Sequence, residues 1–139
     1  MKLKILKYYL LCILLLACAV NAQDFSGTYL CKGDDKSEGL FEGEIILKKL
    51  GKYSDDVYAS YDFSLRVAEY GLYKGFAASQ GLNMAIYFAL DENKNNDYGV
   101  GIAEFKKTKD NLWSFQKFYF QPRYKEGNKG FEECVQVIK

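Results

Sequence analysis

Four groupings of side chains in this chain have the types and spacing that chemistry would need. Asp91, Asn93, Asn95 and Asp97 fall at positions one, three, five and seven of a calcium-loop register, and oxygen donors at alternate positions suit a hard divalent cation. The register then breaks. Position six, which needs glycine to turn, is Asn96, and position twelve, which needs a bidentate glutamate, is Ile102. A polar hairpin loop with asparagine at positive φ accounts for the same residues, and no metal is expected. Ser114-Phe115-Gln116-Lys117 matches Ser-x-x-Lys, in which one helical turn brings the lysine beside a nucleophilic serine. In a strand, residues three apart point to opposite faces, so the match carries no nucleophile. Glu42 and Glu44 share a strand face; a glycosidase sets two carboxyls roughly 5–9 Å apart across its substrate, and two solvent-facing glutamates fit equally well. The fourth grouping is aromatic. Trp113, Phe115, Phe118, Tyr119 and Phe120 put rings on both faces of one strand, where one face fills a core and the other needs cover or a partner.

The chain has no histidine. That removes the commonest general base, the commonest zinc and copper ligand, and every Ser-His or Cys-His pair. The expectation is a protein that is not an enzyme and carries no cofactor. Nineteen Lys and Arg, three of them within the first 22 residues, stand against eighteen acidic residues that all follow Ala22. The remainder therefore has a formal net charge of −2 and no basic stripe for nucleic acid.

The elements that must position these groups read as strands. Ala59 to Val67 alternates strictly between apolar and polar residues, the period of a half-buried strand. Leu82, Met84, Ile86, Phe88 and Leu90 form a second apolar row, and Phe41, Gly43, Ile45 and Leu47 a third. Turn-forming clusters divide the chain at even intervals. The pattern predicts about eight strands, near 25–32, 39–49, 57–67, 70–78, 82–90, 97–107, 112–121 and 131–138. Joined by hairpins in sequence, these close most simply as an all-β, antiparallel up-and-down barrel.

Cys31 and Cys134 lie on the first and last predicted strands, which closure makes neighbours. In an oxidising compartment they read as a disulfide, closing a loop of about 100 residues worth up to ~4–5 kcal/mol. Cys134 shares a face with Glu132 and Gln136, which predicts a bridge at the outer surface or rim. Gly39-Leu40-Phe41-Glu42-Gly43 and Gly71-Leu72-Tyr73-Lys74-Gly75 look alike; glycines that bend strands explain them without a repeat.

The first 22 residues are an address. Lys2, Lys4 and Lys7 precede an uncharged apolar run from Tyr8 to Val20, and Val20-Asn21-Ala22 offers a cleavage site before Gln23. Residues 1–22 are therefore expected to be a secretory signal and 23–139 a single exported domain, periplasmic or secreted. In the alternative, Leu15-Leu16-Ala17-Cys18 resembles the lipobox of bacterial lipoproteins, with 1–17 removed, Cys18 lipidated and the domain held at the outer membrane.

Ser26-Gly27-Thr28-Tyr29 opens the first strand in a way that resembles calycins, the superfamily of lipocalins, fatty-acid-binding proteins and avidins. Lipocalins have Gly-x-Trp at this place, and their last-strand arginine has no match beyond Lys139. The resemblance implies a barrel that binds a small hydrophobic ligand. The interior rows would then supply Tyr61, Phe63, Leu65, Met84, Ile86 and Phe88 as lining, with the Tyr61 hydroxyl orienting the ligand. Tyr29-Leu30-Cys31 is similar to the Tyr-x-Cys of bacterial inhibitors of C-type lysozyme, although their Ser-Gly-x-x-Tyr loop is absent. That resemblance implies an extracytoplasmic protein partner such as a hydrolase, met by an exposed aromatic patch around Trp113 and Tyr119.

Overall fold

The computed structural model describes residues 22–92 and 96–138. The leader reading, with Cys18, falls on residues 1–21, and two of the calcium-loop positions, Asn93 and Asn95, also lie outside the described residues.

Eight strands follow in order: β1 (Gly27–Asp35), β2 (Gly39–Lys49), β3 (Tyr58–Val67), β4 (Gly71–Gln80), β5 (Asn83–Leu90), β6 (Tyr98–Lys107), β7 (Trp113–Gln121) and β8 (Asn128–Val137). Each pairs antiparallel with the next, and β8 pairs with β1, so the barrel is closed and up-and-down as expected. Strand alternation decides which side chains enter it. Ile45, Leu47, Ala59, Tyr61, Phe63 and Leu65 point inward on β2 and β3 and are buried.

Two boundaries move by three residues from the sequence expectation, the largest shifts. β1 runs on through Gly33, Asp34 and Asp35, and β8 begins at Asn128 instead of 131. Both extensions carry polar residues into the barrel, where Asp35 and Asn128 hydrogen-bond each other at 2.7 Å. Composition marks these stretches as turns; backbone pairing with the neighbouring strands, Asp35 opposite Gly130 and Asn128 opposite Gln121, makes them strand.

The two ends are unlike. The base is closed by the segment before β1. Phe25 is fully buried and stacks on Phe105 with ring centroids 4.0 Å apart. Its backbone N–H donates to the Tyr61 hydroxyl at 3.2 Å, and its carbonyl accepts from the Tyr29 hydroxyl at 2.7 Å. The other end, the mouth, carries the β1–β2, β3–β4, β5–β6 and β7–β8 turns.

Cys31 and Cys134 are directly opposed and bonded, with Cα atoms 4.1 Å apart. The bridge lies inside the barrel, not at the outer surface or rim, with both cysteines at 2% exposure or less. The face of Cys134 is inward because Glu132 is paired there with Lys117, while Phe131 and Val135 face solvent at 62% and 45% exposure. On β8 the inward row thus carries the polar Asn128 and Glu132, while Phe131 and Val135 face outward beside Lys129 and Glu133. The cysteines and Glu132 lie close together, but sulfurs bonded to each other present no thiolate to a metal.

Candidate functional site

The packed core fills the base and the middle of the barrel, and the open space lies at the mouth. Tyr29, Phe105 and Phe115 interlock through edge and tilted ring contacts of 4.6–6.2 Å. A cavity of about 50 Å³ remains beneath the mouth turns. One water needs ~10–15 Å³ by this measure, so the cavity admits only a few heavy atoms.

Its walls come from alternating positions on most of the strands. Phe41 and Tyr73 enter from the matching pentapeptides that open β2 and β4, and Phe88 and Tyr119 from β5 and β7. The likeness between Gly39–Gly43 and Gly71–Gly75 therefore has a consequence: each delivers one ring to the same rim. Gly99 on β6 makes room for this wall, since a Cβ there would stand 2.7 Å from the Phe88 ring.

Asp35, Glu38 and Glu132 line this space, and Asp97 stands behind its walls, bonded to Tyr73 and Gln121. Asp35 is 7% exposed; one oxygen accepts from the Tyr119 hydroxyl at 2.5 Å and Asn128 Nδ2 at 2.7 Å, the other from the backbone N–H groups of Ser37 and Glu38. Asp97 is 3% exposed and accepts from the Tyr73 hydroxyl at 2.8 Å and from Gln121 Nε2 at 2.5 Å. Asn128 also donates to Gln121 Oε1 at 2.7 Å, joining both aspartates in one network. At the rim, Glu38 accepts from Tyr70 at 3.0 Å, Tyr124 at 2.8 Å and Lys125.

The protonation states follow from this arrangement. Burial first, then donation to the neighbouring carboxylate, push the Tyr73 and Tyr119 phenols far above their ordinary range. Hydrogen bonds from Lys125 and Tyr124 hold the Glu38 carboxyl low. Burial raises Asp97, against hydrogen bonds from Tyr73 and Gln121 that pull it down. The tyrosine protons are committed to carboxylates, so the cavity offers a guest ring faces and negative charge in place of phenolic donors.

Below the cavity, Lys117 is fully buried with Nζ 2.9 Å from Glu132 Oε2, although no hydrogen bond of acceptable angle forms. The ammonium also lies 5.2 Å from the Phe63 and Phe88 ring centroids and 5.5 Å from that of Tyr119. Its stem lies against Gly101, where a Cβ would meet Lys117 Cδ at 3.2 Å.

The residues expected to line a ligand site divide. Tyr61, Phe63, Leu65, Met84, Ile86 and Phe88 all face inward at 4% exposure or less. Leu65 and Phe88 reach the mouth cavity; Tyr61, Phe63, Met84 and Ile86 do not line it. The Tyr61 hydroxyl is engaged at the base, donating to the Gln23 carbonyl at 3.0 Å. Trp113 and Tyr119 do not form an exposed patch. Tyr119 is buried by its bond to Asp35, and Trp113 packs edge-on against Phe25 at 4.8 Å with Lys107 over its ring. The outward rings of β7 are Phe118 and Phe120, since side chains alternate and Lys117 occupies the inside.

The other candidates resolve simply. Glu42 and Glu44 stand on the outer face, opposite Lys32 on β1 and Arg66 on β3 respectively. The Ser114 hydroxyl donates to the Lys106 carbonyl at 3.3 Å, on the other face of β7 from Lys117. In the calcium-loop stretch Asp91 pairs with Lys74 at 2.8 Å, Asp97 points into the barrel, and Asn96 takes φ 53°. The mouth network was hidden in the sequence because Asp35, Asp97, Gln121 and Asn128 all sit beside turns. The signal that could have found it is the paired pentapeptides with aromatic centres. No protein-family model matches this chain, and no curated protein matches it significantly.

Proposed function

We propose that this is a non-catalytic, exported, calycin-like binding protein that holds one small ligand at the barrel mouth. The observation that carries this reading is the cavity: rings on most sides, several converging carboxylates, and titrating groups displaced from their ordinary ranges, the combination by which a binding site is recognised. The packed interior moves the ligand from the depth of the barrel to its opening and limits its size. Asp35, Glu38 and Glu132 on the walls, with Asp97 behind Tyr73, outnumber Lys117 and Lys125, and ring faces attract a cation. The favoured ligand is therefore small, with a short apolar body against Phe41, Leu65 and Phe88 and a positively charged head. Apolar contact supplies affinity at ~25 cal/mol per Å², and the carboxylates supply selectivity. An oxidising compartment suits the internal disulfide, in keeping with export.

The test is calorimetric titration of the oxidised 23–139 domain with butylammonium, butanol and butyrate, which share a four-carbon body and differ in head group. Butylammonium binding alone, and weaker binding in Tyr73→Leu, is the expected result. Equal binding of the alcohol, or preference for the carboxylate, would overturn the cationic reading. No binding of any of the three would overturn the mouth as a site.

A further inference from the structure

Three of the four mouth turns meet on one carboxylate. Glu38, on the β1–β2 turn, accepts from the Tyr70 hydroxyl of the β3–β4 turn at 3.0 Å and from the Tyr124 hydroxyl of the β7–β8 turn at 2.8 Å. Lys125 of that last turn completes the set as an ion pair. Glu38, Tyr70 and Tyr124 are all walls of the mouth cavity. The β1–β2 turn is firmly anchored. Asp35 accepts from its Ser37 and Glu38 backbone N–H groups at 2.8 and 2.9 Å. The Ser37 hydroxyl donates to Asn128 Oδ1 at 2.9 Å, and the Lys36 N–H to the Lys129 carbonyl at 2.9 Å. The other two turns are different. Each carries non-glycine residues in the left-handed region: Glu69 at φ 68° beside Tyr70, and Lys125 and Glu126 at 44° and 62° beside Tyr124. Such conformations cost energy and persist only where the surroundings impose them. Each of these turns also ends on a glycine at positive φ, Gly71 at 126° and Gly127 at 106°, where the backbone can swing with no Cβ to clash.

We infer that the β3–β4 and β7–β8 turns form a two-part lid over the mouth cavity, and that the Glu38 carboxylate is its latch. The inference rests on the mouth being the binding site, and adds how a guest enters it. With the latch engaged, Tyr70 and Tyr124 stand as walls of a space of about 50 Å³. With it released, both turns relax from their positive-φ conformations and carry the two rings away, while the carboxylate stays on its anchored turn. The latch also selects charge. The Lys125 side chain is itself a four-carbon ammonium, half exposed to solvent on Glu38, so the ammonium of a guest can take its place there. Entry then exchanges one cation for another, and the Glu38 carboxylate stays paired throughout. A neutral or anionic guest has no charge to exchange and meets a closed lid.

Thiol labelling of the oxidised 23–139 domain tests the latch without any ligand. Both native cysteines of that domain are bonded, so Leu65→Cys places a free thiol on the cavity wall and Ala59→Cys places one at the base, each at a buried position. Methyl methanethiosulfonate is the probe, followed by mass spectrometry, with circular dichroism confirming each fold. Glu38→Ala should speed labelling in the Leu65→Cys background roughly tenfold, since hydrogen bonds to a charged group set the opening equilibrium. Tyr70→Phe or Tyr124→Phe should speed it by a smaller factor, and labelling in the Ala59→Cys background should not change. A Leu65→Cys rate indifferent to Glu38→Ala would overturn the inference. So would equal acceleration at both positions, which would make Glu38 a general support of the fold. Amide exchange gives a second readout that needs no new thiol. In Glu38→Ala the Tyr70 and Gly127 N–H groups, bonded to the Val67 and Tyr124 carbonyls within their own turns, should exchange faster. The Phe105 N–H, bonded to the Leu82 carbonyl at the base, should not; equal change at both ends would again overturn the latch. Neither measurement uses a ligand, so failure of the latch and failure of butylammonium to bind are separate results.

Discussion

Removing one member of the Lys117–Glu132 pair should destabilise the barrel severely, while removing both should not. The ammonium and carboxylate are 2.9 Å apart with both side chains at 2% exposure or less. At an effective dielectric constant of ~20, their attraction is roughly 6 kcal/mol. Against it stands a desolvation penalty of several kcal/mol for each ion, offset on the lysine side by ~0.5–2 kcal/mol from the nearby rings. The pair therefore comes out near balance. Lys117→Met leaves the Glu132 carboxylate buried beside the disulfide with no counter-charge, and should cost about 3–5 kcal/mol. Glu132→Leu leaves the ammonium with only the ring faces of Phe63, Phe88 and Tyr119, and should cost somewhat less. The double change Lys117→Met with Glu132→Leu should lie within ~1 kcal/mol of wild type or above it. Urea unfolding of the four proteins, oxidised and at pH 7, gives the coupling energy from the cycle. Additive single effects of under 1 kcal/mol each would refute the reasoning, because they would mean that the two charges do not meet in a dry interior.

Three further outcomes follow from the same geometry. Cys31→Ser opens a loop spanning 103 residues of separation and should cost ~4–5 kcal/mol by the chain-entropy relation, measured by urea unfolding against the oxidised parent. Phe25→Ala empties the base of a fully buried ring and should cost about 3–5 kcal/mol, with faster amide exchange at Tyr29 and Tyr61. Burial raises Asp97 in the folded state, so the fold holds that proton more tightly than the unfolded chain does. Its contribution is present below the unfolded carboxyl pKa and is lost as pH rises through the folded one. The stability of wild type relative to Asp97→Asn should therefore fall between acidic and neutral pH in paired urea titrations. A gap that is flat or widens with pH would contradict the burial assignment.

The strand count, order and closure were legible because the interior of a barrel is written as a two-residue period, which Ala59–Val67 keeps cleanly, and because turn-forming clusters bound the apolar run Met84–Leu90. The disulfide pairing was legible for the same reason, since closure makes the first and last strands neighbours. The facing of β7 and β8 was not legible. There, Lys117 and Glu132 neutralise each other inside, so the rule that polar residues face water inverts, and it carries Cys134 inward with them. The same inversion hid the site: Tyr119 turns in to meet Asp35, and Phe118 and Phe120 are left on the surface. A pairing between strands β7 and β8 decides these facings, and alternation within either strand alone cannot distinguish them. The mouth residues were obscured differently, because Asp35 and Asn128 have the composition of turns and become strand through backbone pairing with Gly130 and Gln121 on the neighbouring strands.

The most direct measurement is the identity of what the protein carries in its own host. Protein taken from the envelope or medium under native conditions, then denatured to release its cargo for mass spectrometry, should yield one small organic cation in near-stoichiometric amount. Release of a long acyl chain would contradict the packed interior and the mouth site together.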